Sequence, residues 1–460
     1  MSDPPSSFSL RRPLPGFATS AQPLLTRQAY HHEIRAAMTV PFALALLEGG
    51  VIAVVARNVF GVGNLGFATI VAAPMFANLT SLVWTRVARG RPKVRVTAWL
   101  MGLSMALVAA VALLPTAGPG PTLLVALAVA ARVCLAGVVN VRSTIWRMNF
   151  PRSQRARITT KFVLTATLIL TAVPLGVGPL LDWQPWSFRV VFPLAAAVGL
   201  LGVVSFSRIR VRGERRLIED ERRPDAADAP RQADGRPHTV WSVLGQDRVY
   251  RSYMACQFAG GVANMMAITA FTLMAIDHLA VVAPGTRSTQ GMLLTATVPL
   301  LVATATMPWW SRRLDRNHIA RFRVGHAVTW VLNQSVMFFA AWFASLPLMY
   351  LAAAGWGFMR GGGVLAWQLG HNDFADKRLV PTYMAIHQTL TGVRGAFAPF
   401  LGTALFAGWP AIERLGLPAF GGIGAWLFAG TAGLSFLSWL GFVFLQRHLT
   451  ARGGGRAEDA

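Results

Sequence analysis

The chain has 460 residues, of which 54% are hydrophobic and only 13% are charged, a composition too apolar for an ordinary soluble protein. Its formal net charge of +24 would favour nucleic-acid binding in a soluble chain. Here the basic residues lie in short segments between apolar runs of about 20 residues, the length that spans a bilayer. We therefore expect an integral membrane protein in contact with the lipid bilayer, and no nucleic-acid partner.

The apolar runs predict twelve transmembrane helices. Six precede a highly charged segment near the middle of the chain, at 37–58, 64–84, 94–115, 120–142, 160–181 and 188–207. Six follow it, at 252–276, 290–310, 322–343, 345–366, 382–407 and 421–446. The predicted fold is an all-α polytopic membrane protein. Its parts are an N-terminal tail (1–36), two six-helix halves (37–207 and 252–446), a charged linker (208–251) and a C-terminal tail (447–460).

Lys and Arg are distributed asymmetrically between alternate connections. If the N-terminus is inside, 36 of the 43 Lys and Arg residues fall on the inner side, with those at the span edges included. Four fall in the outer loops: Arg57, Arg189, Arg287 and Arg414. By the positive-inside rule, both termini are then cytoplasmic. No apolar core with a cleavage site precedes the first span, so we expect no cleaved signal peptide. The expected location is the plasma membrane, as a bacterial inner-membrane protein.

The two halves repeat several landmarks at a nearly constant offset. Trp84-Thr-Arg86 recurs as Trp310-Ser-Arg312, 226 residues later, and Trp146 recurs as Trp367, 221 residues later. Pro174-Leu-Gly176 likewise corresponds to Pro399-Phe-Leu-Gly402. Two halves in the same orientation form the parallel-repeat pattern of secondary transporters.

A basic connection follows each of the two Trp landmarks. The first contains Arg86, Arg89, Gly90-Arg91, Lys93 and Arg95, and the second contains Arg312, Arg313, Asp315-Arg316, Arg321 and Arg323. With twelve spans, a 6+6 repeat and a long central loop, the chain resembles the major facilitator superfamily over nearly its whole length. That family's signature, Gly-x-x-x-Asp-Arg-x-Gly-Arg-Arg, lies in the first of these connections.

The first copy of the signature keeps Gly90-Arg91 but lacks the Asp, whereas the second keeps Asp315-Arg316. The resemblance implies that these connections latch the halves together on the cytoplasmic side. The candidate gating residues are Arg86, Gly90, Arg91, Arg312, Asp315 and Arg316. The missing Asp weakens this role for the first copy, and connections that are basic only for orientation are the alternative. The segment Trp367-Gln-Leu-Gly-His-Asn-Asp-Phe-Ala375 resembles one in poorly characterised bacterial members of the superfamily.

Ionisable groups inside a bilayer are costly and are functional candidates. Glu48 lies near the middle of the first span and Arg132 near the middle of the fourth. The resemblance implies that spans 1, 4, 7 and 10 line a central cavity, where we expect Glu48 to face Arg132 and to carry a proton. The alternative is a static ion pair that fixes helix packing.

Further candidates lie in the second half. Arg394 and His387 are seven residues apart and share a helix face, and Arg360 belongs to the tenth span. Three intramembrane Arg residues favour an anionic substrate, since the guanidinium group binds carboxylate or phosphate with two parallel hydrogen bonds. A snorkelling Arg360 would weaken this interpretation.

Gln257 and Asn264 share one face of the seventh span as candidate cavity residues. Interhelical hydrogen bonding is the alternative role for both.

No sequence motif indicates an enzyme. There is no Gly-x-x-x-x-Gly-Lys segment, no His-Glu-x-x-His and no Cys-x-x-Cys, and the two cysteines, Cys134 and Cys256, lie in apolar runs. We expect no cofactor and no metal, with the proton as coupling ion. The predicted function is secondary active transport of a small-molecule substrate, preferably an organic anion, by a monomer that works through alternating access. The alternatives are proton-driven efflux of amphipathic drug-like compounds and a non-transporting membrane sensor or scaffold.

Overall fold

The computed structural model describes residues 17–47, 49–222, 240–375, 379–411, 416 and 418–451. Over these ranges the chain is helical apart from turns, loops and one isolated bridge between Trp409 and Phe420. Helix starts follow local chemistry: Pro92 and Pro151 stand directly before the helices that begin at Lys93 and Arg152, where a missing N–H costs nothing. The helices of the first half are α1 Arg27–Leu47, α2 Gly49–Asn58, α3 Asn64–Leu79, α4 Ser81–Ala88, α5 Lys93–Ala110, α6 Gly120–Asn149, α7 Arg152–Trp183 and α8 Phe188–Phe206.

The linker contains two short helices, α9 Glu214–Arg222 and α10 Val240–Gln246. The side chain of Asp247 caps the next helix by accepting a 2.8 Å hydrogen bond from the backbone N–H of Tyr250. The helices of the second half are α11 Arg248–Val282, α12 Arg287–Met292, α13 Val298–Asp315, α14 Ile319–Trp342, α15 Leu346–Leu369, α16 Val380–Ala407 and α17 Trp426–Ala451. A five-residue π-helix, Leu293–Thr297, joins α12 to α13.

Eight helical segments in the described part of the chain are long and apolar enough to cross a membrane, and the bent pair α1–α2 would make a ninth. The eight lie on α5, α6, α7, α8, α11, α12–α13, α16 and α17. Helices also occupy the remaining predicted spans, at α3–α4, α14 and α15. The count of twelve crossings and the orientation of the termini stay predictions.

The helices form two bundles, one in each half, as short connections between antiparallel neighbours require. The connections alternate between two faces. We call the side that carries the linker and the connections at 89–92 and 316–318 the linker face, which is the predicted cytoplasmic side. The other side, with the connections at 59–63 and 283–286, is the opposite face. Between the bundles, α3 packs along α16, and α7 packs against α12 and the π-helix.

The sequence repeat appears as a repeated packing contact. In the first half, a Cβ atom on Gly137 would lie 2.8 Å from the indole of Trp84, and in the second half a Cβ on Gly362 would lie 2.7 Å from the indole of Trp310. Gly137 follows Trp84 by 53 residues and Gly362 follows Trp310 by 52 residues, so the same close approach of two helices recurs at nearly the same spacing.

Candidate functional site

The two halves contact each other through two irregular helical segments, one from each half. The first half bends by 41° between Leu24–Leu47 and Gly50–Asn58, and in the second half the π-helix interrupts the run from α12 to α13. The segments touch, because a Cβ on Gly50 would lie only 1.7 Å from Oγ1 of Thr295. The ten residues of α2 place this contact about 15 Å from the opposite face. Broken helices and π-turns often mark binding sites, and we call this region the junction.

Helix α6 carries Arg132 to the junction. The half-buried guanidinium donates a 2.5 Å hydrogen bond from Nη2 to the carbonyl of Leu47, the last residue of α1. A free carbonyl is available there because the helix is broken, which leaves terminal acceptors without partners in the helix. Glu48 lies outside the described residues, so the pairing of Glu48 with Arg132 stays a prediction.

Polar contacts also join the halves at the opposite face. Arg57 on α2 binds Asp277 on α11 through two parallel hydrogen bonds, of 2.7 Å from Nε and 2.8 Å from Nη2. Asp182 at the end of α7 accepts hydrogen bonds from the backbone N–H groups of Ser288 (2.6 Å) and Thr289 (2.8 Å) in the first turn of α12. We call these two contacts the clasps. None of these residues is among the predicted site residues, since all lie at or just beyond the ends of the predicted spans.

Arg394, a predicted site residue on α16, lies inside the second half. It is 6% exposed and donates from Nη1 to the carbonyl of Gln257 at 2.7 Å and from Nη2 to Oγ1 of Thr391 at 3.3 Å. Its contact with α11 requires a glycine, because a Cβ on Gly261 would lie 1.9 Å from Nη1. Gln257 therefore contributes its backbone carbonyl to Arg394, which binds α16 to α11.

His387 lies two helical turns before Arg394 on α16 and is fully buried. Its ring packs edge-on against that of Trp367, with 5.7 Å between the ring centroids. The charges of Arg323 and Arg394 lie within electrostatic range of this ring. Beyond α15, His371 is also buried, and this burial lowers its pKa below the ordinary value. The predicted pair on α16 thus belongs to a larger basic region.

Helix α14 adds two basic residues that are not among the predicted site residues. Arg323, predicted as part of a basic connection, is 1% exposed, and its Nε donates to the hydroxyl of Tyr253 at 3.4 Å. Its Nη1 lies 3.3 Å from Nδ1 of His326, so Nδ1 is the acceptor and Nε2 donates to the carbonyl of Met359 at 2.8 Å. We call Arg323, His326, His387 and Arg394 the basic cluster.

The first half contains a buried ion pair instead. Glu33 on α1 is fully buried and binds Arg142 on α6, with 3.1 Å from Nε to Oε2. Trp146 donates to the second carboxylate oxygen at 2.8 Å. Glu33 falls in the predicted N-terminal tail because polar residues surround it in the sequence. In the structure α1 begins at Arg27 and buries this turn against α7 and α8.

The first candidate gating connection is held by the linker. Gly90, at φ +66°, donates from its backbone N–H to Oε2 of Glu221 at 2.7 Å. The same oxygen accepts a 2.5 Å hydrogen bond from Nζ of the buried Lys93, and the backbone N–H of Lys93 donates to Glu214 at 2.9 Å. Helix α9 thus supplies to this connection the carboxylate that the degenerate signature lacks. Arg86 and Arg91 are exposed.

The second candidate gating connection has local partners. Arg312 donates to the carbonyl of Pro308, and Asp315 accepts from Ser311 at 3.4 Å. Arg312, Asp315 and Arg316 are all exposed. A latch between the halves through either connection stays a prediction.

The remaining two candidates differ in their surroundings. Arg360 is exposed on α15, which fits the snorkelling alternative better than a place in a site. Asn264 on α11 is half-buried, and its side-chain oxygen is buried without a hydrogen-bond partner.

Comparisons with known proteins give a consistent fold. A sequence profile described as Major Facilitator Superfamily matches residues 94–399. Among solved structures, a mutant of the nucleoside transporter NupG superposes with a TM-score of 0.65 at 11% identity, covering 92% of this chain and 99% of that one. The POT family transporter PepTSo superposes with a TM-score of 0.62 at 12% identity, covering 93% of this chain and 99% of that one.

A bacterial homolog of the human lysosomal transporter Spinster, in an inward-facing and occupied conformation, gives a TM-score of 0.56 at 14% identity, covering 92% of this chain and 95% of that one. At these identities the likeness establishes the fold alone. No curated protein matches the sequence of this chain.

Proposed function

The chain belongs to the major facilitator superfamily and is a membrane transporter, and from this premise we propose that it moves a small organic anion across the membrane by alternating access. The observation that carries the proposal is the junction. There a half-buried Arg132 reaches the end of α1 at the level where Gly50 of one half touches Thr295 of the other. A cation beside the contact between two halves that rock against each other supports binding of an anionic group.

The coupling ion in this proposal is the proton, with Glu48 as its carrier. Glu48 is the neighbour in sequence of Leu47, whose carbonyl accepts from Arg132. A carboxylate in an apolar setting has a raised pKa, and a nearby guanidinium lowers it, so arrival of an anion at Arg132 would favour protonation of Glu48. Each transport cycle would then move one proton with the substrate.

Ligand-induced thermal stabilisation of the purified protein tests the substrate class. The panel consists of small organic acids, sugars and cationic drugs, and the variants are Arg132→Gln and, as a matched control, Arg360→Gln, which removes an exposed arginine. We expect acids to stabilise the wild type and Arg360→Gln but not Arg132→Gln. Stabilisation by cationic drugs that survives in Arg132→Gln would contradict the anion proposal and favour drug efflux.

Proteoliposome transport tests the coupling. Glu48→Gln should abolish uphill transport driven by a pH gradient while counterflow exchange of the same acid continues. Loss of both activities, or of neither, would contradict a proton-carrying Glu48. An absence of any solute flux in the wild type, together with normal binding of a partner protein, would favour the sensor or scaffold alternative.

A further inference from the structure

The basic cluster in the second half lacks a counter-charge among the described residues. Arg323, His326, His387 and Arg394 are between 0% and 6% exposed. Several of their polar atoms are buried without a hydrogen-bond partner: Nη2 of Arg323, Nε of Arg394, and both ring nitrogens of His387. The partners that the cluster does have are carbonyls, hydroxyls and an imidazole, all of them neutral.

The internal repeat shows that this basic character is not required by the fold. At the offsets of 226 and 225 set by Trp84/Trp310 and Pro174/Pro399, the equivalent residues of the first half are Thr97, Leu100, Phe162 and Ile169. The packing agrees with this alignment. A Cβ on Gly137 would approach Leu100 as one on Gly362 would approach His326, and Trp146 packs on Phe162 as Trp367 packs on His387. Neutral side chains therefore fill the same positions in a bundle of the same design.

Burial of two guanidinium groups is unfavourable unless a negative charge accompanies them. Arginine cannot relieve the cost by losing its proton, and leaving a buried charge unpaired is strongly destabilising. In the first half, even the half-buried Arg142 binds a carboxylate, that of Glu33.

We propose that the basic cluster binds one compact anion, a halide or a single carboxylate group, between α11, α14 and α16. The N–H donors without a partner in the protein are those of Arg323, Arg394 and His387, and forked guanidinium donors suit such an anion. The anion must be small because Gly261 packs directly on Arg394 and Trp367 on His387. This site lies within the second half, apart from the junction, and it does not depend on the proposed transport function.

The test is the apparent melting temperature of the purified full-length protein in chloride, formate or gluconate at constant ionic strength. Gluconate is a control because its polyhydroxy chain is too large for an enclosed site. We expect chloride or formate to raise the melting temperature saturably, by about 3 °C relative to gluconate. A saturable rise in melting temperature with formate but not with chloride would identify a carboxylate as the natural ligand. Equal melting temperatures in all three salts would overturn the proposal.

Variants show whether the effect belongs to the cluster. Arg323→Gln and Arg394→Gln should abolish the anion dependence, whereas Arg360→Gln should retain it. Because either variant could fail to fold, His387→Phe copies the residue of the first half, and Gly261→Ala displaces Arg394 without removing charge. Both should raise the half-saturating anion concentration at least tenfold. Unchanged dependence in these variants would overturn the proposal.

A further variant separates this proposal from the proposed function. Arg132→Gln should keep the full response to chloride or formate while losing the response to the substrate acids. A response to chloride or formate that is lost in Arg132→Gln would place the anion at the junction and overturn the separate site.

Discussion

At the scale of single residues, the junction depends on the absence of a side chain at Gly50. Its hypothetical Cβ would lie 1.7 Å from Oγ1 and 2.8 Å from the carbonyl carbon of Thr295. The second of these atoms is backbone, so the clash cannot be relieved by a rotamer change alone. The two halves can approach this closely only because position 50 is glycine.

Gly50→Ala should therefore separate the halves locally and destabilise the observed conformation, by about 1–3 kcal/mol as for other overpacked sites. We expect a lower apparent melting temperature and slower solute exchange in proteoliposomes. Gly102→Ala is the matched control, because Gly102 is also helical and nothing lies within 4 Å of its added Cβ. It should leave both measurements unchanged or slightly improved. Equal behaviour of the two variants would show that the junction tolerates expansion.

How far residues could be identified from sequence depended on their surroundings along the chain. Arg132 and Arg394 could be selected because each interrupts a long apolar run. Glu33 and Arg323 could not, since each lies among polar neighbours at the end of a span and reads as part of a solvated segment. The spacing of Arg323 and His326, three residues apart on one helix face, was the available signal. Their burial depends on packing between distant helices, which no local pattern specifies.

At the scale of elements, the apolar runs located the helices well, but their ends less so. Helix α1 begins at Arg27, ten residues before the predicted span, because its first turns pack against α7 and α8. The segment predicted only as a charged linker contains α9, which docks on the connection at 89–92. Composition describes the solubility of such a segment, whereas specific pairs such as Glu221 with Lys93 decide where it docks.

Helix α9 should accordingly detach when Glu221 loses its charge. Glu221→Gln leaves the ammonium group of Lys93, which is 3% exposed, without its carboxylate. We expect a destabilisation of about 1–3 kcal/mol and faster hydrogen exchange in residues 214–222. Glu219→Gln removes a charge from an exposed position of the same helix and should change neither quantity. Slow exchange retained in Glu221→Gln would mean that other contacts, such as the hydrogen bond from the Arg222 side chain to the carbonyl of Gly90, are sufficient to hold α9.

At the scale of the whole molecule, the clasps bias the halves towards one arrangement. Arg57–Asp277 and Asp182–α12 both lie on the opposite face, where they oppose separation of the halves. The proposed alternating access requires these contacts to break in each cycle. They must therefore be strong enough to favour one state and weak enough to release it. The partly exposed side chains of Arg57 (23%) and Asp277 (39%) suit that requirement, because solvent screening moderates the pair.

Asp277→Asn should shift the population towards states open at the opposite face. Loss of one partly exposed ion pair costs about 1 kcal/mol, which changes the ratio of the two states about fivefold. Spin labels on the exposed positions Leu65 and Val281, one in each half, would report the change as a longer distance in pulsed dipolar spectroscopy, after replacement of Cys134 and Cys256.

The double variant Arg57→Asp with Asp277→Arg restores opposite charges across the same gap and should recover part of the short-distance population. The single variant Arg57→Asp places two negative charges together, so it should lose more of that population than Asp277→Asn does. Asp182→Asn tests the second clasp in the same way, and its effect should add to that of Asp277→Asn because the two contacts share no side chain. An unchanged distance distribution in all of these variants would mean that apolar packing, such as that of α3 along α16, determines by itself which face of the molecule is closed.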